Sequence, residues 1–433
     1  MGTLLQSAAL LAIAFAVASA TPEDESPKKT LLIMLDGSGL PLLDDTIPHK
    51  SEAVRKFAME NVVFSNGMKG QSNPSLTANI VTTVTGMLPD VHNFAADVYY
   101  SQPQLAYFDP FGLTGITAAA SESTNGKWWK PIEAIWETAS KKGAEVAVVG
   151  WPLSKASALS KVSFDLGRTP EEGAAIVSSL IYRKDFLIWY VNSESNKDQD
   201  KGVYYNKVDM AVNQLFESLG DDLVEMNVVI VGSHPDPMAI DASMSLCMDD
   251  VLGEPGKDFH FSSYGYIPIK KDKDAQLLAA LEDTISTRNL PIIVTHNKNI
   301  SADLHISAKV GEVAVLPTNG ASIRFLCASP NTRPVVSPSI DQQREGRILL
   351  VAGGPIFART RQVTEMPGNE DVWGLLAVAL DHEGPFNATT PIEFALRKTN
   401  YGQITRQIIT LHVYTSATRD DEEETHEMSD FKA

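Results

Sequence analysis

Asp36 closes an apolar run, Lys29 to Asp36 (KTLLIMLD), and Gly37 follows it directly. An acid in that place is what a buried parallel strand delivers to the edge of a sheet, where α/β proteins keep their ligand residues. It suits a metal ion or a substrate, and equally the cap of a following helix, which is a common use of such acids. Downstream, Asn73 to Asn79 (NPSLTAN) runs into an apolar, Thr-rich segment ending TVTG at Gly86. A Thr in the turn before that helix would expose its hydroxyl beside the Asp36 strand. Such a hydroxyl is a useful nucleophile only when activated, and two zinc ions would do this by lowering its pKa while holding phosphoryl oxygens. The plainer reading is that Ser75 or Thr77 caps the helix.

These residues need a rigid sheet behind them, and the chain has the pattern for one. Apolar runs recur at Val146 to Val149, Phe186 to Val191, Asn227 to Val231 and Ile348 to Ala352. Segments of helical period lie between several of them. In Val208 to Leu219 (VDMAVNQLFESL), Val208, Val212, Leu215, Phe216 and Leu219 form an apolar stripe. The alternation predicts an α/β fold, a doubly wound and mostly parallel sheet flanked by helices. From Cys247 to Thr318 the pattern is less regular, and 247–318 is expected to be an inserted subdomain or cap, with a strand-like piece at Pro291 to Thr295.

The ends of the chain carry other signals. An apolar run from Ala8 to Val17 followed by Ala18-Ser19-Ala20 predicts a signal peptide over 1–20, cleaved after Ala20, and a secreted protein; an uncleaved anchor is the alternative. No other apolar run is long enough for a transmembrane segment in the mature chain. Residues 21–415 would form the folded part and 416–433 an acidic disordered tail: Arg419 to Ala433 holds seven acids and two bases. The formal charge of −18 gives no footprint for a nucleic-acid polymer. Asn299 and Asn387 open sequons for glycosylation, whereas Pro74 blocks the one at Asn73. Cys247 and Cys327, the two cysteines, form one bridge or remain as two free thiols.

An ordered series of motifs spans residues 29 to 390: LDG at Leu35 to Gly37, then PSLT with Asn79, VTG, Pro89 and His92, then WWKPIEAIWETASKKG from Trp128 to Gly143. WP at Trp151, VNQLFESL, NVVIVGSH, VAGGPIF from Val351 to Phe357 and NEDVW from Asn369 to Trp373 continue it. In that order and spacing the chain resembles the nucleotide pyrophosphatase/phosphodiesterase family of the alkaline phosphatase superfamily. The resemblance implies the same doubly wound sheet and two-zinc hydrolysis of phosphodiester or pyrophosphate bonds through a Thr nucleophile. By position, Asp36 matches a zinc-ligand Asp, Thr77 the nucleophile once one residue is deleted before Asn79, and Asn79 a residue that helps hold the phosphate. Without that deletion Leu76 falls on the nucleophile position, and Ser75 is the alternative hydroxyl.

The chain departs from the pattern at its metal ligands. Where the family has Asp-His-Gly, this sequence has Ser233-His234-Pro235, which keeps the His, and Asp236 is the substitute acid nearby. Ser oxygen lacks the charge that makes a carboxylate a good zinc ligand. The Asn192 to Gly202 loop offers Glu194, Asp198 and Asp200 but no His, and Ser337 to Arg347 holds no His at all. Nine His residues (His49, His92, His234, His260, His296, His305, His382, His412 and His426) leave a rearranged centre open, and a lone His is more often a hydrogen-bonded residue than a ligand. The motifs that survive are mostly those that pack, and the motifs that are lost are mostly those that bind metal. The expectation is a binding protein or pseudoenzyme on a phosphodiesterase scaffold, holding a nucleotide, phosphate or phospholipid headgroup. The alternative is an active divergent hydrolase of nucleotide or phospholipid-type diesters that uses Thr77 as nucleophile and one or two zinc ions at Asp36 and His234, with Asp236 as the weaker candidate ligand.

Overall fold

The computed structural model describes residues 29–43, 52–71, 75–94, 96–111, 128, 132–153, 162–165, 169–192, 201–235, 242–300, 311–325, 327, 335–336, 347–381 and 395. At its centre is β1 (Thr30–Leu35), every residue of which is buried. Around it lie β2 (Val62–Phe64), β3 (Val146–Val149), β4 (Val162–Asp165), β5 (Phe186–Val191), β6 (Asn227–Gly232), β7 (Leu350–Gly353) and β8 (Arg361–Val363). They make one eight-stranded sheet in the order β8-β2-β7-β6-β1-β5-β3-β4. All neighbours pair in parallel except β7, which runs antiparallel to both β6 and β2.

Strands buried on both faces read as unbroken apolar runs, which is why the central strands were legible from sequence. Helices cover both faces. On one, Leu31, Ile33 and Leu35 pack with Val54 and Phe57 of α1 (Glu52–Glu60), Val177 of α4 (Pro170–Leu180) and Val208, Val212 and Leu215 of α5 (Lys201–Leu219). On the other, Leu32 and Met34 pack with Ile80, Val81 and Val84 of α2 (Leu76–Thr85), Trp136 of α3 (Ile135–Lys141) and Leu375 and Leu376 of α6 (Asp371–Ala379). This is the doubly wound α/β arrangement the alternation predicts. Each fully buried aliphatic side chain contributes about 1.5–3 kcal/mol, so two such layers hold the sheet rigidly.

The periodic stripe of α5 points inward as expected, with Phe216 only partly buried at its margin. Trp128, Trp136 and Trp151 are buried, as their size demands, while Trp129 lies outside the described residues. The run expected at Ile348 to Ala352 is divided. Arg347–Ile348 pairs with Met68–Lys69 in a separate ribbon, and β7 begins at Leu350.

A second, six-stranded sheet is ordered 292–296, 313–317, 265–268, 259–262, 99–101, 106–108. Two of its strands, Tyr99–Ser101 and Ala106–Phe108, come from upstream, so it is not assembled from 247–318 alone. It has its own core, in which Phe259, Phe261 and Tyr266 pack with Val313 and Val315 and with Leu277 and Leu281 of the helix Asp274–Arg288. Cys247 and Cys327 are bridged, with Cα atoms 6.1 Å apart. Asn299 is exposed at the end of a short turn, Asn297–Asn299; Asn387 and both chain ends lie outside the described residues. No helix among the described residues is long and apolar enough to cross a membrane.

Candidate functional site

The register of the central strands decides where chemistry can occur. Leu35 of β1 pairs with Val191 of β5 on one side and with Gly232 of β6 on the other. Three strands therefore end side by side, and the next residues, Asp36, Asn192 and Ser233, leave the same sheet edge together. This is where a parallel α/β sheet places its ligand crevice. Two glycines make the edge tight. Gly37 turns the chain with φ at 86°, a conformation that L side chains rarely adopt. A Cβ on Gly232 would come within 2.1 Å of the Ser38 carbonyl oxygen, so the two chain segments touch backbone to backbone.

Asp36 and His234 meet there, with Asp36 Oδ1 3.8 Å from His234 Nδ1 and side chains 15% and 18% exposed. Both are already engaged by neighbours. The Tyr190 hydroxyl donates to Asp36 Oδ1 at 2.8 Å. Ser233 Oγ accepts from the Gly37 N–H at 3.1 Å and lies 2.8 Å from His234 Nδ1, where either group can be the donor. Tyr190 is buried on the β5 strand, and burial first, then the charge of Asp36, pushes its phenol well above the ordinary value, so it is a permanent donor. Sequence reading missed Tyr190. Its place in the FLIWYV run looks like core, and only the β1–β5 register reveals that its hydroxyl reaches the Asp36 carboxylate.

The hydroxyl candidates sit on α2. Ser75 is the N-cap residue, its side chain accepting from the Ala78 N–H, so the capping role holds for Ser75. Thr77, expected to present its hydroxyl from a turn, lies within the first turn of the helix and is fully buried. Among the described residues its Oγ1 has no hydrogen-bond partner. Asn79 is also fully buried, and its amide is tied into the scaffold. Its Oδ1 accepts from the Gln71 N–H at 2.8 Å and from Asn369 Nδ2 at 3.3 Å, and its Nδ2 donates to the Ser75 carbonyl at 2.8 Å. Asn369 belongs to the NEDVW motif, so this motif braces α2.

The α2 cluster and the Asp36–His234 pair are linked through the chain that precedes α2. Gly70 lies so close to Pro235 that a Cβ there would meet the ring at 2.5 Å, and the next residue, Gln71, holds Asn79. His92 is a buried structural residue: its Nδ1 accepts from the Phe94 N–H, and its Nε2 lies 3.0 Å from Thr82 Oγ1. Asp236 and the acids of the 193–200 loop lie outside the described residues.

A catalytic zinc ion takes three protein ligands and a structural one four, drawn from Cys, His, Asp and Glu. The described residues supply Asp36 and His234 here, with a neutral Ser where a second carboxylate would help. The only grouping of three such residues within metal-binding reach, among those described, is Cys247, Asp249 and Cys327, whose sulfurs are bonded to one another. The described donors do not fit a two-zinc centre.

Residues 30–186 match the Type I phosphodiesterase / nucleotide pyrophosphatase family. No curated protein sequence matches the chain. Among solved structures, the fold resembles murine ectonucleotide pyrophosphatase / phosphodiesterase 5, both as an inactive variant in complex with AMP and as the protein without that substitution. The first has a TM-score of 0.72 and 16% identity over 86% of this chain and 100% of that one; the second has 0.70 and 16% over 83% and 97%. The human counterpart superposes with a TM-score of 0.69 at 14% identity, over 86% of this chain and 100% of that one. The family match is confined to residues 30–186, and the likeness to these solved structures, at 14–16% identity, is one of fold along most of the chain.

Proposed function

We propose that this chain is a secreted member of the family that has lost two-zinc catalysis and acts as a binding protein. The observation that carries the reading is the state of the sheet edge. Asp36 and His234 are adjacent, but Ser233 stands beside them in place of an acid, and Tyr190 and Ser233 satisfy them with hydrogen bonds. A hydroxyl such as that of Thr77 gains little as a nucleophile without a metal or a base to activate it. Secretion is supported by the N-terminal apolar run and by the Cys247–Cys327 bridge, since disulfides persist in oxidising compartments. Nucleotides and phospholipid headgroups are the ligand classes that the family brings with it, and a murine relative of the same fold holds AMP.

Zinc stoichiometry tests this directly. Secreted protein is exchanged into metal-free buffer, assayed by plasma mass spectrometry, and assayed again after excess zinc is added and unbound ion removed. Near-zero metal in both samples is expected. The second reading, a divergent hydrolase of nucleotide or phospholipid-type diesters, is favoured by the retained Asp36–His234 contact. One or two tightly held zinc ions together with turnover of a diester would establish it and overturn the first.

A further inference from the structure

The first turn of α2 is filled by a side chain from elsewhere in the protein. A helix leaves its first backbone N–H groups unpaired, and the dipole favours an anion there. Asp97 Oδ1 accepts from the Thr77 N–H at 2.8 Å and from the Ser75 hydroxyl at 2.8 Å, and Asp97 Oδ2 accepts from the Leu76 N–H at 3.3 Å. A carboxylate held this way offers the helix what a phosphoryl group offers: two charged oxygens within reach of adjacent N–H donors. In the same turn lies the buried hydroxyl of Thr77, which has no hydrogen-bond partner among the described residues.

The placement of Asp97 is not a local accident of the turn. It leads into the Tyr99–Ser101 strand of the second sheet, and the neighbouring Val98 accepts from the Ser263 N–H and donates to Ser263 Oγ. Buried Tyr264, next in the chain, feels the Asp97 charge. The second sheet thus sets a negative charge against a helix of the first.

We propose that Asp97 stands in for a phosphoryl group at the N-terminus of α2, so that phosphate is refused beside Thr77. This rests on the non-catalytic reading and adds a cause independent of zinc. A nucleotide or headgroup taken into the cleft is then held by groups other than the first turn of α2.

The test uses the full chain, isotopically labelled at leucine and threonine nitrogens and titrated with inorganic phosphate while the amide resonances of Leu76 and Thr77 are followed. In the wild type these resonances show no saturable shift. In Asp97→Ala they do, with phosphate affinity raised roughly tenfold or more, the scale of a helix N-terminus acting on a partly buried anion. Asp97→Asn, which keeps the shape and removes the charge, falls between. Saturable shifts in the wild type overturn the proposal, as does unchanged affinity in a variant whose circular dichroism matches the wild type. Should Asp97→Ala fail to fold, the wild-type titration and Asp97→Asn decide by the same criteria. Zinc-dependent diester hydrolysis by the wild type would defeat the underlying reading. Phosphate reaching Leu76 and Thr77 in a zinc-free, inactive protein would defeat this proposal alone.

Discussion

The Tyr190 hydroxyl donates to Asp36 Oδ1 at 2.8 Å, from a strand whose register sets Tyr190 beside Met34 and Val191 beside Leu35. The contact ties the acid that opens the candidate site to the interior of the sheet. Tyr190→Phe removes this hydrogen bond to a largely buried carboxylate. The expected loss is about 1–3 kcal/mol of stability, read from the urea unfolding midpoint at unchanged slope. An unshifted midpoint would show that the hydrogen bond contributes nothing net.

Thr77 provides a test that separates packing from chemistry. A hydroxyl buried without a partner costs about 1–3 kcal/mol, so the near-isosteric Thr77→Val should raise stability by up to that amount. A nucleophile kept for catalysis at the expense of stability shows the same gain together with loss of diester turnover. A drop in melting temperature on Thr77→Val would mean that the hydroxyl has a partner after all.

Asn79→Ala is expected to behave as a structural lesion. It strips the acceptor from the Gln71 N–H and from Asn369 Nδ2 in a fully buried setting. Asn369 Nδ2 keeps its bond to the Asn79 backbone carbonyl at 3.0 Å, whereas the Gln71 N–H loses its partner in the interior at a cost of about 1–3 kcal/mol, so the variant should unfold at clearly lower urea concentration. Stability equal to wild type would free Asn79 for a purely ligand-binding role.

The bridge between Cys247 and Cys327 spans a sequence separation of 80 residues. Closing a loop of that size restricts the unfolded chain, and paired Cys→Ser substitutions should cost about 2–4 kcal/mol. Thermal melts with and without reductant provide the same comparison on the unaltered protein. Alkylation of both thiols without prior reduction would refute the pairing.

Alkaline pH should unfold this protein through its buried phenols. Burial pushes Tyr107 up to about 12 from an ordinary value of 10.0, and Tyr99 and Tyr266 are raised for the same reason. A phenol whose folded pKa is raised contributes stability that is whole below pH 10, the unfolded value, and is lost as pH climbs through the folded one. Urea midpoints should therefore be flat up to about pH 10 and fall toward pH 12, and Tyr107→Phe should make that fall shallower. An identical fall in the variant would assign the effect to other groups.

The runs VAVV, FLIWYV and NVVIV were legible as central strands because a strand buried on both faces has no polar alternation to obscure it. The stripe from Val208 to Leu219 was legible because a helix against a sheet needs one apolar face. Asp36 and a helix cap at Ser75 or Thr77 could also be picked out, since strand ends and helix starts carry local signatures in residue type, whereas His234 was singled out by the family resemblance. Other features depend on residues distant in sequence. Neither the meeting of Asp36 with Tyr190 nor the capture of α2 by Asp97 has a local pattern. The first follows from strand register, and the second from a turn held by the second sheet. That sheet also draws Tyr99–Ser101 and Ala106–Phe108 across a long stretch of chain, where short strands pair by edge complementarity and give no periodic signal. By itself, then, the sequence determined the α/β core and the residue types available at its edge. Only the tertiary structure decided which of them are spent on one another, because hydrogen bonds between separate elements depend on where packing sets those elements.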